Sequence, residues 1–258
     1  MAEASTAVKL SIRTIQALVA VARQAFPLEV TKVAEDEPFR FIGPALIARS
    51  TGAVESISLL APYGRSSDSA VLFRVLTEHV IVFAWLAADP ETRIPLWLKE
   101  DAKQRTAMHN DWIKGAPPLL AEWPLAWFEG LKRVKGKMPD TRGCAAQADK
   151  FWRKRLPGVL SAGTPEASFV AQYQTMFRGA SRSVHAGLMG LQPCIIETPQ
   201  GTVIDVEAPH ANEHATTAAP VLYALGLYVS AAALGWPDLR DIEVAIAEMA
   251  AAASAQEK

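Results

Sequence analysis

Two cysteines, Cys144 and Cys194, are all that the 258 residues contain. That is too few for a disulfide scaffold or a cysteine-built metal cluster, and they read as ordinary reduced thiols. Neither sign of charge is in excess: 26 Lys and Arg stand against 27 Asp and Glu, a formal net charge of -1. The balance excludes a protein coated in nucleic acid but leaves room for a local basic patch. Glycine (15) and proline (17) are scattered, which excludes collagen and a low-complexity linker. Also missing are G-x-G-x-x-G after a strand, G-x-x-x-x-G-K-[ST], G-x-S-x-G and H-E-x-x-H. Of the five histidines only His210 and His214 are close, in PHANEH, with no third ligand nearby, so no cofactor or metal is expected. The N-terminus, MAEASTAVKLSIRTIQALVAVARQAF, breaks its apolar residues with charges and does not read as a signal peptide.

What is present is apolar: 50% of residues are hydrophobic and 21% charged, enough to bury a substantial core and too greasy for a disordered chain. Most of the sequence reads as helix. Helices are predicted over Val8 to Ala25, Ile47 to Leu60, Ser66 to Ala88 and Glu91 to Lys114, each ended by proline or glycine. Further helices are read near Leu119 to Val134, Thr141 to Arg155, Glu166 to Leu191, Ala215 to Leu234 and Asp238 to Ala252. After Pro193 the period changes. Two short β-branched runs, Ile195-Ile196 and Thr202-Val203-Ile204, flank Pro199-Gln200-Gly201 and predict a hairpin that covers the bundle's end. Repeated β-α alternation is absent, which excludes a parallel-sheet fold. The fold class read here is all-α, a multi-helix bundle with one short β-hairpin inserted. Its organisation is an N-terminal helix and loop over 1–40 and a helical domain over 41–258, with the hairpin at about 194–206.

The stretch Ala218 to Trp236 is 19 residues without a charge, nominally long enough to span a bilayer. It contains Pro220 and Gly226 and lacks basic flanks, so it reads as a buried or dimer-forming helix of a soluble protein.

In VLFRVLTEHVIVFAWL apolar residues surround nearly the whole helix. At about 100° per residue, Arg74 and Glu78 lie roughly 40° apart on one edge. Both are then partly buried charges that need partners, first each other and then a neighbouring helix. The long helix supplies candidates. Arg178, Ser181, Arg182 and His185 fall at i, i+3, i+4 and i+7 on one face, beside an apolar stripe through Tyr173, Ala180 and Val184. Imidazole can shuttle a proton near neutrality, and guanidinium can hold a phosphate through two parallel hydrogen bonds.

R-x-x-x-E in FRVLTEHVIVFAWLAADPETR, followed by Y-x-x-x-[FY]-R-x-x-S-x-x-V-H in YQTMFRGASRSVH, resembles the bacterial domain-of-unknown-function 5677 family. The resemblance covers roughly Ile47 to Leu234. It implies an all-helical domain in which Arg74 and Glu78 match the first motif, and Tyr173, Arg178, Ser181 and His185 the second. It brings no established activity. A wider resemblance is to HEPN-type helical domains, whose ribonuclease members place an arginine and a histidine four to six residues apart at a dimer interface. Here six residues separate Arg178 from His185, and Gly179 stands where a polar residue often follows the arginine.

Between Lys132 and Arg155 nine basic residues stand against Asp140 and Asp149. Lys132, Arg133, Lys135, Lys137, Arg153, Lys154 and Arg155 are read as the positions that would track a phosphate backbone. Six of the seven tryptophans lie between residues 85 and 152, and one or two near the basic run are read as able to stack on a base.

Two functions compete. The first is a metal-independent, HEPN-like endoribonuclease in stress or phage defence, cytoplasmic and homodimeric, with RNA as partner and no membrane. In it His185 and Arg178 serve the scissile phosphate, helped by Arg182 and Ser181. The alternative is a non-enzymatic helical interaction or regulatory module with a structural polar core of Arg74, Glu78, Ser181, His185 and Tyr173.

Overall fold

The structure is a computed structural model that describes residues 5–25, 37–113, 131, 133–160, 168–177, 195–199, 201–204 and 213–256. The chain divides into two compact units, Met1–Ala88 with Thr141–Lys258, and Asp89–Asp140. The first unit takes in the N-terminal helix that the sequence pattern sets apart at residue 40.

In the first unit, α1 is Thr6–Ala25, α2 Phe39–Leu60 and α3 Ser66–Ala88. Two turns of α2 precede the predicted start at Ile47. Pro44 sits inside the helix, and what holds the early turns is burial: Phe39 stacks on Phe83 of α3 with ring centroids 5.9 Å apart. Tertiary packing overrides the breaker signal of a proline this close to the helix start.

α3 is the hub. Every residue from Val80 to Leu86 is buried, and α3 packs on α2, on α5 (Thr141–Arg155), on α7 (His214–Leu234) and on the segment 173–177. Gly226 allows α7 to approach closely, since a Cβ there would lie 3.2 Å from Cγ2 of Val80. α5 is joined to α3 twice. Trp152 Nε1 donates to the Ala84 carbonyl and Trp85 Nε1 to Gln147 Oε1, both at 2.8 Å. α1 and α8 (Leu239–Gln256) pack on each other, and α1 also packs on α2 and α7. There the buried Tyr223 hydroxyl shares a 2.6 Å hydrogen bond with Thr51.

The segments Asp68–Ala88 and His214–Leu234 are long and apolar enough to cross a membrane, and 67% and 61% of their apolar windows lie buried inside the structure.

The expected fold class needs a correction at the hairpin. The bundle is all-helical. Two four-residue strands, β1 (Ile195–Thr198) and β2 (Gly201–Ile204), pair antiparallel with Ile195 opposite Ile204. Among the described elements their substantial packing is on each other, and they add no further layer there. The β-branched runs and Pro-Gln-Gly specify local pairing, but four residues a strand offer too little area to become a layer of the core.

The helix expected from Glu166 begins later. Ser168 caps α6 (Phe169–Gln172), its Oγ accepting from Ala171 N at 3.2 Å, and the backbone then widens into a π turn over Tyr173–Phe177.

In the second unit, α4 (Pro90–Ile113) carries Pro90 in its first turn, where a missing N–H costs nothing. Lys99 Nζ donates to the carbonyls of Val134 and Gly136, at 2.6 and 3.2 Å. Gly136 holds a φ of +99°, which favours glycine there. The helix expected near Leu119 to Val134 falls almost wholly outside the described residues.

Candidate functional site

Asp149 lies on the buried face of α5, between Ala145 and Ala148 on one side and Trp152 on the other, and is 5% exposed. A buried carboxylate must be hydrogen-bonded. This one is bonded several times over. Ser168 Oγ donates to Oδ2 at 2.6 Å, Phe169 N to Oδ1 at 2.9 Å and Val170 N to Oδ2 at 3.1 Å, with Arg153 Nη2 at 3.8 Å. Asp149 therefore satisfies the free N–H groups of the turn that opens the second motif, and its charge complements that helix start.

Tyr173 and Phe177, the two aromatics of the second motif, stack in the π turn with centroids 5.1 Å apart. The Arg74 guanidinium lies 5.3 Å from the Phe177 ring centroid. The first motif thus meets the second through a cation over an aromatic face. Glu78 does not take part. It is exposed, and no hydrogen bond or ion pair joins it to Arg74 among the described residues. The expected buried Arg74–Glu78 pair is corrected on this point. The 40° between the two positions is enough to carry one side chain under Phe177 and leave the other in water.

Arg178, Ser181, Arg182 and His185 lie outside the described residues, as do Lys132 and His210. Arg133, Lys135 and Lys137 are exposed in the second unit; Arg153, Lys154 and Arg155 are exposed in the first. Trp85 and Trp152 are 1% and 2% exposed and belong to the core, so neither can stack on a base, while Trp123 and Trp127 lie outside the described residues. No three His, Cys, Asp or Glu residues come together as a metal site among the described residues.

One histidine that the sequence pattern does not single out is half-buried. His79, next to Glu78 on α3, has its pKa lowered by burial and then by the Arg49 guanidinium, and its buried Nδ1 has no hydrogen-bond partner among the described residues. Within the second unit a cavity of about 630 Å³ is lined by Leu96, Ala102, Leu131 and Met138, with Lys99 and Lys103 among its walls. Lys99 is already committed to backbone carbonyls, and Lys103 stands 3.6 Å from Glu100.

The model of a family of unknown function, DUF5677, matches residues 41–202, more than half of the chain, and that stretch holds both motifs, Asp149 and the Arg74–Phe177 contact. The chain belongs to this family. No curated protein and no solved structure matches it. The match includes nearly all of α2, all of α3 to α6 and β1, and leaves out α1, α7 and α8. In this DUF5677 chain the core is accordingly completed by helices from both ends of the sequence, since α7 packs on α3 from outside the matched stretch. The match also stops short of the Leu234 that the motif resemblance reaches.

Asp149 and Ser168 are the residues that sequence reasoning missed. The signal was present: Asp149 sits on the apolar stripe Cys144, Ala145, Ala148 and Trp152, where a carboxylate has to find donors.

Proposed function

We propose that this DUF5677 chain is a non-enzymatic helical interaction or regulatory module. Its motif residues hold helices together and do not act on a substrate. One observation carries this reading. The charged groups flanking the entry to the second motif are consumed by structure, Asp149 by Ser168, Phe169 and Val170, and Arg74 by the Phe177 ring. A catalytic arginine or carboxylate needs a free face toward the reacting atoms. In this reading Tyr173, stacked on Phe177, belongs to the same contact.

The competing function, metal-independent RNA cleavage with His185 as proton carrier and Arg178 as phosphate holder, needs a proximate 2′-hydroxyl and no metal. The test incubates the purified protein with structured and unstructured RNA in EDTA, beside a folded His185→Ala variant. The module reading expects no cleavage above a protein-free blank from either. Cleavage by the parent protein that is lost in His185→Ala would replace this reading with the ribonuclease.

A further inference from the structure

The solvent face of α5 carries cations and no carboxylate. Arg142, Lys150, Arg153 and Lys154 stand at i, i+8, i+11 and i+12, with the small Ala146 at i+4 between them, and every one of these residues is exposed. At 3.6 residues per turn these positions form one stripe. The only acidic residue of α5, Asp149, is turned inward and held by the start of α6, so the exposed face presents no carboxylate. Arg142, Lys150 and Lys154 make no ion pair among the described residues, and Arg153 has only the 3.8 Å approach to Asp149. α4 shows the contrasting pattern, with Arg105 on Asp101 at 2.7 Å and Lys103 near Glu100. Arg155 lies off the stripe with its guanidinium 3.8 Å from the Phe151 ring centroid.

Uncompensated cations in register repel one another along a helix, and a solvated surface helix relieves this by interleaving acidic residues. On α5 that relief is absent, and the helix is anchored to α3 by Trp152 and Gln147, neither of which belongs to the stripe. We infer that the stripe from Arg142 to Lys154 is a docking face for the phosphate backbone of nucleic acid. This rests on the reading of the chain as an interaction module and names the partner of that module.

Charge complementarity and length select the occupant. The stripe spans about 18 Å at the rise of an α-helix, and a nucleic-acid backbone presents several phosphates over such a length. Two arginines and two lysines supply donors that phosphate oxygens accept, and the short Ala146 side chain leaves room for a backbone to lie close to the helix. A bilayer is a poorer match. An amphipathic helix binds it by sinking an apolar face, and the apolar face of α5 (Cys144, Ala145, Ala148, Trp152) is buried in its own unit. Recognition by such a stripe is of backbone, not of base sequence.

The experiment uses the full chain and a fluorescent DNA single strand of about 20 nucleotides, read by anisotropy across a salt series. The strand has no 2′-hydroxyl, so the 2′-hydroxyl route of RNA cleavage cannot act on it. Binding therefore reports on docking without cleavage, and the α5 variants assign it to the α5 face, while RNA cleavage by the parent protein would overturn the module reading and leave the binding result standing. The paired reversal Lys150→Glu/Lys154→Glu should weaken binding at least tenfold and reduce the log–log salt slope by about 1.4, the value for two phosphate contacts on a single strand. Lys150→Gln/Lys154→Gln should fall between the reversal and the parent protein. Arg13→Glu, an exposed reversal on α1 of the same unit, should bind like the parent. Thermal melting identical to the parent shows that the variants are folded. Absence of binding by the parent protein at low salt overturns the inference, and so does binding that both α5 variants retain. Binding to vesicles of equal phosphatidylglycerol and phosphatidylcholine, lost in the reversal while the DNA strand stays unbound, would also overturn it in favour of a lipid surface.

Discussion

The Asp149 carboxylate accepts the backbone N–H of Phe169 at 2.9 Å, twenty positions further along the chain, and so ties the basic helix α5 to the start of the second motif. The same carboxylate accepts from Ser168 Oγ and Val170 N. Removing it would leave three donors facing a buried site.

Asp149→Ala should therefore cost about 2–4 kcal/mol, from a lost helix cap and buried donors without acceptors. Asp149→Asn keeps one acceptor oxygen and should cost less. Ser168→Ala, which removes one cap but leaves the carboxylate, should cost about 1 kcal/mol. Urea denaturation at constant pH reads all three, and an Asp149→Ala midpoint equal to the parent's would refute the assignment.

Glu78→Ala should change stability by less than about 0.5 kcal/mol, because the side chain is exposed and holds no partner among the described residues. A loss near 3 kcal/mol in the same titration, about the cost of leaving a buried charge unpaired, would mean that Glu78 neutralises such a charge after all.

Stability should fall at alkaline pH through Tyr223. Burial pushes its phenol well above the usual range, against a smaller opposing effect of the Thr51 hydroxyl. The raised pKa means that the folded state holds the proton more tightly than the unfolded chain does. Its contribution is complete below the ordinary tyrosine pKa of about 10 and is lost as pH rises above it. A Tyr223→Phe variant should show a flatter alkaline limb in denaturation midpoints. An unchanged limb would place the sensitivity elsewhere, for example at Tyr228, whose phenol is also raised by burial and then by Glu243.

His79 should act at the other end of the scale. Its pKa is lowered by burial and by Arg49, so the folded state prefers the neutral ring. Its contribution is present above about pH 6.5 and is lost as pH falls through the folded value. Arg49→Ala should raise the His79 pKa, read from ring proton shifts in an NMR titration. No movement would mean that Arg49 is screened by water.

Much of this is legible in the sequence, and the failures have physical reasons. α3 begins at Ser66 and ends at Ala88 as its pattern predicts, because Asp89-Pro90 cannot continue it. The pattern makes α2 too short because Pro44 looks like a breaker, whereas the packing of Phe39 on Phe83 stabilises a helix that runs through it. Arg74 does sit at the edge of a greasy helix, yet its partner is an aromatic face a hundred residues away and not the carboxylate one turn along. Spacing along one helix reveals which side chains share a face, but not which neighbouring helix that face will meet. Asp149 looks like one charge in a basic run; its place on an apolar stripe is what fixes its role.

Central to all of this is that the first motif's arginine serves to hold the second motif in place. A double-mutant cycle of Arg74→Ala and Phe177→Leu, followed by urea denaturation, tests it most directly. A coupling energy of about 1 kcal/mol, the magnitude of a partly desolvated cation over an aromatic ring, is predicted. Additive losses, with coupling below about 0.3 kcal/mol, would contradict it and leave Arg74 free for another task.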